Sequence, residues 1–217
     1  MTSSSKKLFL YGGLLGGITL VIGLIIGLTA PSLTVLTTEL SEIDNTKGNK
    51  ESNVILIEYS DFQCPACKQA SSIVKDVVSE FENHMVFAYR YFPLRKIHKN
   101  AGISSQAAEA AGVQGKFWEM HDLLFENQEK WSPLPNEQAK EAFSEYAKSI
   151  GLDVEKFKED LSSSKVISKV SADEKSATKA KVNHTPTFFL NGKEIKNPQN
   201  LEEFRKVIRA EIAKNNK

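Results

Sequence analysis

The feature that most constrains the fold of this chain is a cysteine pair placed between a predicted strand and a predicted helix. The only two Cys among the 217 residues lie in Cys64-Pro65-Ala66-Cys67. The apolar run Val54-Ile55-Leu56-Ile57 that precedes them is typical of a strand buried on both faces. From Cys64 to Phe81, apolar residues recur with helical spacing, and residues 86–92 resemble a second strand. We therefore predict a β-α-β unit with two parallel strands.

The rest of the chain predicts a helical block followed by two strands and a helix. Residues 98–181 show helical periodicity, which is interrupted at Trp131-Ser132-Pro133-Leu134-Pro135. Asn191-Gly192 then indicates a β-hairpin, because a type I′ turn needs a positive φ at both central positions. A last helix begins at Leu201, with Asn200 as its N-cap. The predicted fold class is α/β, in the order β-α-β, helical block, β-β-α.

An apolar segment near the N-terminus predicts a membrane anchor. Residues 8–30 contain no charged residue, and a helix of that length spans about 35 Å, enough to cross a bilayer. Lys6 and Lys7 precede it, so the positive-inside rule places residues 1–7 in the cytoplasm and the rest of the chain outside. The alternative is a cleaved secretory signal, although its apolar core would be shorter. Both alternatives predict export of the domain with the cysteines.

Residues 31–52 predict a tether between the membrane and the folded domain. Leu40 is among the apolar residues of this segment that we expect at the membrane surface. The run from Asp44 to Lys50 is polar and predicts a loop.

Charge and residue counts exclude several classes of protein. With 28 Lys+Arg against 27 Asp+Glu, the chain lacks the basic excess of a nucleic-acid binder. A zinc site is disfavoured because there is neither a second C-x-x-C pair nor an H-x₃₋₅-H pair. A purely structural disulfide between positions i and i+3 would constrain little chain entropy. We therefore predict a redox-active pair that needs no cofactor and no metal.

The two cysteines predict different roles. Cys64 lies at the first turn of the predicted helix, where free backbone N–H groups and the positive end of the helix dipole stabilise a thiolate. The pKa of such a thiol falls, and it becomes the nucleophile. Cys67 lies on the apolar face of the helix and is the predicted buried, resolving thiol.

The order of elements, together with the motifs, resembles the DsbA-like thiol–disulfide oxidoreductases of the thioredoxin-fold superfamily. The resembling segments are Glu58 to Cys67, Tyr91-Phe92-Pro93-Leu94, Gln114 to Trp118 and Thr185-Pro186-Thr187. The resemblance implies a thioredoxin-fold domain made of residues 53–97 and 182–217. It also implies a helical domain, residues 98–181, inserted between the second and third strands.

The resemblance further implies three site residues besides the cysteines. Thr185-Pro186 matches the family's cis-proline, beside which the substrate backbone binds, and an ordinary trans proline is the alternative. Glu58 matches a buried acid that relays protons to the buried thiol. The alternative is that Glu58 faces solvent at the end of its strand.

His121 lies on an apolar helix face and is predicted to be a core histidine, whereas we expect His184 at the surface.

The implied function is the formation of disulfides, by dithiol/disulfide exchange, in unfolded, exported proteins that carry free thiols. A membrane redox partner that reoxidises the pair is implied by family analogy. A reductase or an isomerase would use the same residues, and the sequence leaves the direction of electron flow open. An alternative from another class is a membrane-tethered module that binds extended peptides without catalysis.

Overall fold

The structure is a computed structural model that describes residues 39–215. The predicted transmembrane segment 8–30 and the first part of the tether lie outside the described residues. Between residues 39 and 215, no helix has the length and apolar character needed to cross a membrane.

A five-stranded mixed sheet forms the centre of the described domain. Its strands are β1 (Asn45–Gly48), β2 (Ile55–Ser60), β3 (Val86–Tyr91), β4 (Thr187–Leu190) and β5 (Lys193–Ile195). The strand order is β1-β3-β2-β4-β5. The helices are α1 (Pro65–Phe81), α2 (Ala101–Val113), α3 (Phe117–Glu126), α4 (Gln128–Trp131), α5 (Asn136–Ser149), α6 (Val154–Leu161), α7 (Ser164–Lys179) and α8 (Leu201–Asn215).

The predicted β-α-β unit is confirmed. Strands β2 and β3 are parallel, and α1 connects them. In this register Glu58 lies beside Tyr89 of β3, and on its other side it lies beside Phe188 of the antiparallel strand β4. The parallel pairing places the ends of β2 and β3 at the same edge of the sheet as the start of α1, which is where the cysteines lie.

The predicted hairpin and final helix are also confirmed. Asn191 and Gly192 have φ values of 46° and 78°, as a type I′ turn requires, and they connect β4 to β5. The Oδ1 atom of Asn200 accepts a hydrogen bond from the backbone N–H of Glu203 at 3.0 Å and caps α8. Both signals depend only on neighbouring residues, so the sequence could specify them.

The prediction of a polar loop between Asp44 and Lys50 is wrong for residues 45–48, which form the edge strand β1. This strand pairs antiparallel with β3. An edge strand is held on one side by backbone hydrogen bonds and does not need an alternating apolar pattern, so hydropathy does not detect it. The end of the predicted tether is therefore part of the sheet.

Leu40 is also part of the folded domain. It packs against the smaller apolar cluster, on the face of the sheet formed by Ile57, Tyr59 and Phe189. The larger cluster lies on the opposite face, where Leu56, Phe87 and Phe188 contact α1, α8 and the inserted helices; its buried members include Cys64 and Cys67. The candidate site thus lies at the edge of the main core.

Candidate active site

The cysteine pair lies at the N-terminus of α1, as the sequence predicts. Cys64 occupies the N-cap position with an extended backbone, and Pro65 begins the helix. Proline is well suited to the first helical position because its missing N–H would have no partner inside the helix. Both cysteines are free thiols; Cys67 is fully buried, and Cys64 retains 7% of its surface exposed. A reagent or a partner thiol therefore meets Cys64 first.

The environment gives the two thiols opposite acidities. The pKa of Cys64 is lowered to about 5, mainly because the Cys67 thiol donates a hydrogen bond to its thiolate. Burial opposes this shift, whereas Thr185 and the backbone N–H groups of Ala66 and Cys67 add to it. The pKa of Cys67 is raised well above its ordinary value, because burial and the hydrogen bond to Cys64 disfavour its thiolate. At neutral pH the pair therefore consists of one thiolate and one thiol.

The Thr185–Pro186 loop lies directly against Cys64. The peptide bond between the two residues is cis, as predicted. The Thr185 carbonyl oxygen lies 3.6 Å from the Cys64 sulfur and accepts the thiol hydrogen when Cys64 is protonated. The Thr185 hydroxyl is buried without a hydrogen-bond partner in the described chain, so it is available to donate to the thiolate.

Glu58 is buried beneath the thiols and does not face solvent. Only 2% of its surface is exposed, and its Oε1 atom has no hydrogen-bond partner among residues 39–215. Burial raises the pKa of Glu58 to about 7, and the nearby Cys64 charge adds to this effect. The carboxyl group is therefore poised to change its charge near neutral pH, as a proton donor or acceptor must.

Two further polar groups share this buried environment. The hydroxyl groups of Ser60 and Tyr89 are buried, and neither forms a hydrogen bond within the described chain. Ser60 nevertheless lies close enough to favour the ionised forms of Glu58, Cys67 and Tyr89. The charge of Glu58 in turn raises the pKa of Cys67 and of Tyr89. Protonation of the thiol and protonation of the carboxyl group are thus coupled.

Asp61 organises the loop before Cys64, and the sequence analysis missed it. Its buried carboxylate accepts hydrogen bonds from the backbone N–H groups of Gln63 and Leu94 at 2.8 and 2.9 Å. Its Oδ2 atom also lies 2.7 Å from Nδ1 of His98. Its backbone carbonyl accepts the Cys64 N–H at 3.0 Å. An Asp so close to the cysteines was a detectable signal, because Asp commonly bonds backbone N–H groups in turns.

Gln128 holds the same loop from the inserted helices and was also missed. Its side-chain amide is buried and donates to the carbonyl oxygens of Phe62 and Cys64, at 2.7 and 3.0 Å. These contacts join residues more than sixty positions apart, so no local pattern in the sequence could indicate them. The inserted helices therefore help to position the catalytic loop.

The two histidines with predicted environments lie where we expect them. His184 is exposed, and the ring of His121 is buried among Phe62, Tyr89 and other aromatic rings.

A comparison with family models identifies the family of the chain. A model described as thioredoxin matches residues 41–210. The chain belongs to the thioredoxin family. The matched range includes β1, both cysteines, the inserted helices and most of α8, so family membership extends over nearly all of the described domain.

Solved structures of thioredoxin-family proteins place the fold among those of the DsbA type. BdbD from Bacillus subtilis is similar with a TM-score of 0.71 and 24% identity, over 83% of this chain and 100% of that one. The DsbA protein alpha-DsbA1 of Wolbachia pipientis has a TM-score of 0.71 at 17% identity, over 81% of this chain and 94% of that one. The fold is thus a thioredoxin fold with the DsbA-type helical insertion.

Curated relatives of this thioredoxin-family chain are much longer proteins. The Na(+)/H(+) antiporter NhaA 1 of Salinispora arenicola is 35% identical over 170 residues, which is 78% of this chain and 25% of that protein. The corresponding antiporter of Mycolicibacterium vanbaalenii is 34% identical over 171 residues, or 77% and 26%. The chain spans about a quarter of the length of the curated relatives it matches.

Proposed function

We propose that the chain is a thiol–disulfide oxidoreductase that forms disulfides in exported proteins. The observation that carries the proposal is the opposite acidity of the two thiols at the start of α1, with the Thr185 carbonyl 3.6 Å from the more acidic one. A peptide-binding module would need the loop beside Cys64 but would not need a thiolate and a thiol at this spacing.

The exchange proceeds in two steps. A substrate thiolate attacks Cys64 of the oxidised protein, so that a mixed disulfide forms while the Cys64–Cys67 bond breaks. Cys67 leaves as a thiolate and takes up a proton. The second substrate thiolate then attacks the substrate sulfur of the mixed disulfide, and Cys64 leaves as a thiolate. Two electrons pass from the substrate, which gains a disulfide, to the protein, which becomes a dithiol with Cys64 ionised.

Glu58 is the proposed source of the proton for Cys67. A buried thiolate is costly, and the nearby protonated carboxyl group can neutralise it at once. Thr185 and Pro186 are the proposed contacts for the substrate backbone, since the Thr185 carbonyl lies against Cys64, which keeps some exposed surface whereas Cys67 has none.

The acidity of Cys64 supports the oxidising direction. A thiol with a pKa of about 5 is a good leaving group, and its stable thiolate favours the reduced form of the protein. A stabilised Cys64 thiolate favours the transfer of electrons from a substrate to the protein. Equilibration with glutathione tests this: a potential of about −120 to −200 mV supports an oxidase, whereas about −270 mV supports a reductase.

Single-cysteine variants test the exchange itself. In Cys67→Ser, the Cys64 thiolate can attack a disulfide of an unfolded protein, which forms a mixed disulfide and releases one thiolate of that protein. Because no Cys67 thiol is left to resolve the mixed disulfide, we expect it to accumulate. In the matched variant Cys64→Ser, the remaining thiol is fully buried and should form little adduct. Equal adduct formation would contradict the assigned roles, and substrate binding without any adduct would favour the peptide-binding module.

The proposed location is the outer face of the cell membrane, with residues 8–30 as the anchor and a membrane redox partner that reoxidises the pair. A reporter fused after Lys217 should be active outside the cytoplasm, and the full-length chain should fractionate with membranes. A shortened form outside the membrane fraction would indicate a cleaved signal instead.

A further inference from the structure

His98 connects the segment before α2 to the turn that precedes α1. Its Nδ1 atom lies 2.7 Å from Oδ2 of Asp61, and the two side chains are 17% and 0% exposed. The same carboxylate accepts hydrogen bonds from the backbone N–H groups of Gln63 and Leu94. Since a carboxylate only accepts hydrogen bonds, Nδ1 carries the hydrogen in this contact. A substitution can therefore remove the His98 donor, whereas it cannot remove the two backbone donors.

Asp61 fixes the position of Cys64 in this turn. Its backbone carbonyl accepts the Cys64 N–H at 3.0 Å, and its Oδ1 atom accepts the Gln63 N–H at 2.8 Å. The carboxylate is fully buried, so water cannot replace a lost donor unless the turn moves. The position of Cys64 matters because the groups that lower its pKa, the Cys67 thiol and Thr185 first among them, act over hydrogen-bond distances.

The backbone around His98 is held by contacts that do not involve its ring. The N–H groups of Ile97 and His98 both donate to the Leu94 carbonyl, at 3.0 and 2.9 Å. The His98 carbonyl in turn accepts the N–H of Ala101, the first residue of α2, at 3.2 Å. Substitution of His98 should therefore remove the contact with Asp61 and leave its own segment in place.

We propose that His98 is a positioning residue for the exchange reaction: its bond to Asp61 holds the turn that places the Cys64 sulfur for attack. It acts through Asp61 and not by contact with the reacting sulfur. The inference deepens the proposed function and rests on it, because a positioning role has meaning only if the cysteine pair exchanges disulfides.

Two substitutions of His98 separate its hydrogen bond from its size. In His98→Asn the amide nitrogen is attached to Cγ, as Nδ1 is in histidine, so it can donate to Asp61 from nearly the same place. His98→Leu fills a similar space without a donor. His84→Leu is the matched control, because His84 is exposed and lies just before β3, at the end of the sheet opposite the cysteines.

The primary measurement is the hydrogen-exchange rate of the Gln63 and Cys64 backbone amides, which reports whether the turn is held. His98→Leu should speed this exchange by about tenfold, because the turn opens more often once Asp61 has lost a donor. The midpoint of Cys64 alkylation against pH should rise by about one unit or less. The kcat/KM for oxidation of a peptide dithiol should fall by about tenfold. His98→Asn should recover most of each change, and His84→Leu should behave as the wild type.

The proposed function and the role of His98 can fail separately. If Cys64→Ser still oxidises the peptide, the exchange at Cys64 is wrong, and His98 has no reaction to serve. If Cys64→Ser is inactive but His98→Leu leaves amide exchange and the alkylation profile unchanged, the proposed function stands and the positioning role is overturned. Equal damage in His98→Leu and His98→Asn would also overturn it, because the hydrogen bond would then not be the cause.

Denaturant unfolding shows whether each variant is folded. Should His98→Leu fail to fold, His98→Gln takes its place, since the glutamine amide lies one carbon further from the backbone and cannot donate to Asp61 from the position of Nδ1. Its amide exchange should then exceed that of His98→Asn, and equal rates in the two variants would contradict the proposal.

Discussion

The two faces of the central sheet carry different polar clusters, because successive residues of a strand point to opposite faces. Glu58 of β2 and Tyr89 of β3 lie on the face below α1. Their neighbours Tyr59 and Arg90 lie on the other face. On the face below α1, Glu58 Oε1 and the Tyr89 hydroxyl have no hydrogen-bond partner within residues 39–215. On the other face, the buried Arg90 guanidinium bonds both carboxylate oxygens of Asp44, at 2.9 and 2.7 Å, and the Tyr59 hydroxyl at 3.0 Å. The same sheet therefore carries one unsatisfied and one well-satisfied polar cluster.

This comparison distinguishes two kinds of buried polar group. Glu58, below α1, can change its charge near neutral pH, whereas Arg90 and Asp44, on the other face, stabilise the fold. Hydrogen bonds that favoured the ionised Glu58 would lower its pKa and remove its ability to exchange protons near neutral pH. Asp44 and Arg90 need only remain charged, and their mutual contacts compensate for the desolvation of both. The Arg90 side chain also donates to the Glu39 carbonyl, so this second cluster attaches the segment before β1 to the sheet.

The largest expected effect comes from removing Arg90 from the hydrogen-bonded cluster that it forms with Asp44 and Tyr59. Arg90→Met leaves Asp44 buried without its cation, and we expect the free energy of unfolding to fall by about 3–5 kcal/mol. The pH profile of Cys64 alkylation should not change, because Arg90 lies on the opposite face. Denaturant unfolding measures the first effect.

The double variant Arg90→Met/Asp44→Leu is the control, and it should recover most of the lost stability because no unpaired charge remains. A single variant as stable as the wild type would show that the pair does not fix the segment before β1.

The next largest effect concerns Glu58 and depends on pH. The pKa of Glu58 is about 7 in the folded protein against an ordinary value of 4.5, so the folded state binds this proton more tightly than the unfolded state. Relative to Glu58→Gln, the wild type should therefore lose stability as the pH rises from 4.5 through 7, by about 3 kcal/mol in total. The two proteins should be equally stable at low pH, and Glu58→Gln should be the more stable one at pH 8.

Unfolding of the reduced proteins at pH 4.5, 6 and 8 tests this prediction. A constant difference in stability between the wild type and Glu58→Gln across this range would mean that Glu58 does not titrate in the folded protein. The Glu58 side chain would then be paired, as the groups on the Arg90 face are.

The smallest expected effect concerns Thr185. Its hydroxyl lies beside Cys64 and has no hydrogen-bond partner among residues 39–215. Thr185→Val removes a group that favours the Cys64 thiolate, so the pKa of Cys64 should rise by about one unit or less. The rate of alkylation against pH measures this shift. Thr187→Val is the matched control, because its buried hydroxyl already donates to the His184 carbonyl at 2.8 Å. Equal profiles for both variants would contradict the proposed contact.

The sequence predicted the elements that depend on neighbouring residues. Apolar periodicity indicated β2, α1 and β3; Asn191-Gly192 fixed the hairpin, and Asn200 fixed the start of α8. The C-x-x-C spacing at a helix start was enough to predict which cysteine keeps some exposed surface and which is fully buried. These predictions hold because turns, caps and amphipathic periodicity arise from contacts within a few residues.

Only the tertiary structure decided what surrounds those elements. The edge strand β1 exists because β3 offers it free backbone groups, and its own residues give no apolar signal. Glu58 could face solvent or the core on sequence grounds, and the pairing of β2 between β3 and β4 placed it under α1. The contact of Gln128 with the Cys64 carbonyl and that of His98 with Asp61 depend on distant segments packing together. Burial, and with it the raised pKa of Glu58, is a property of that packing and cannot be read from neighbouring residues.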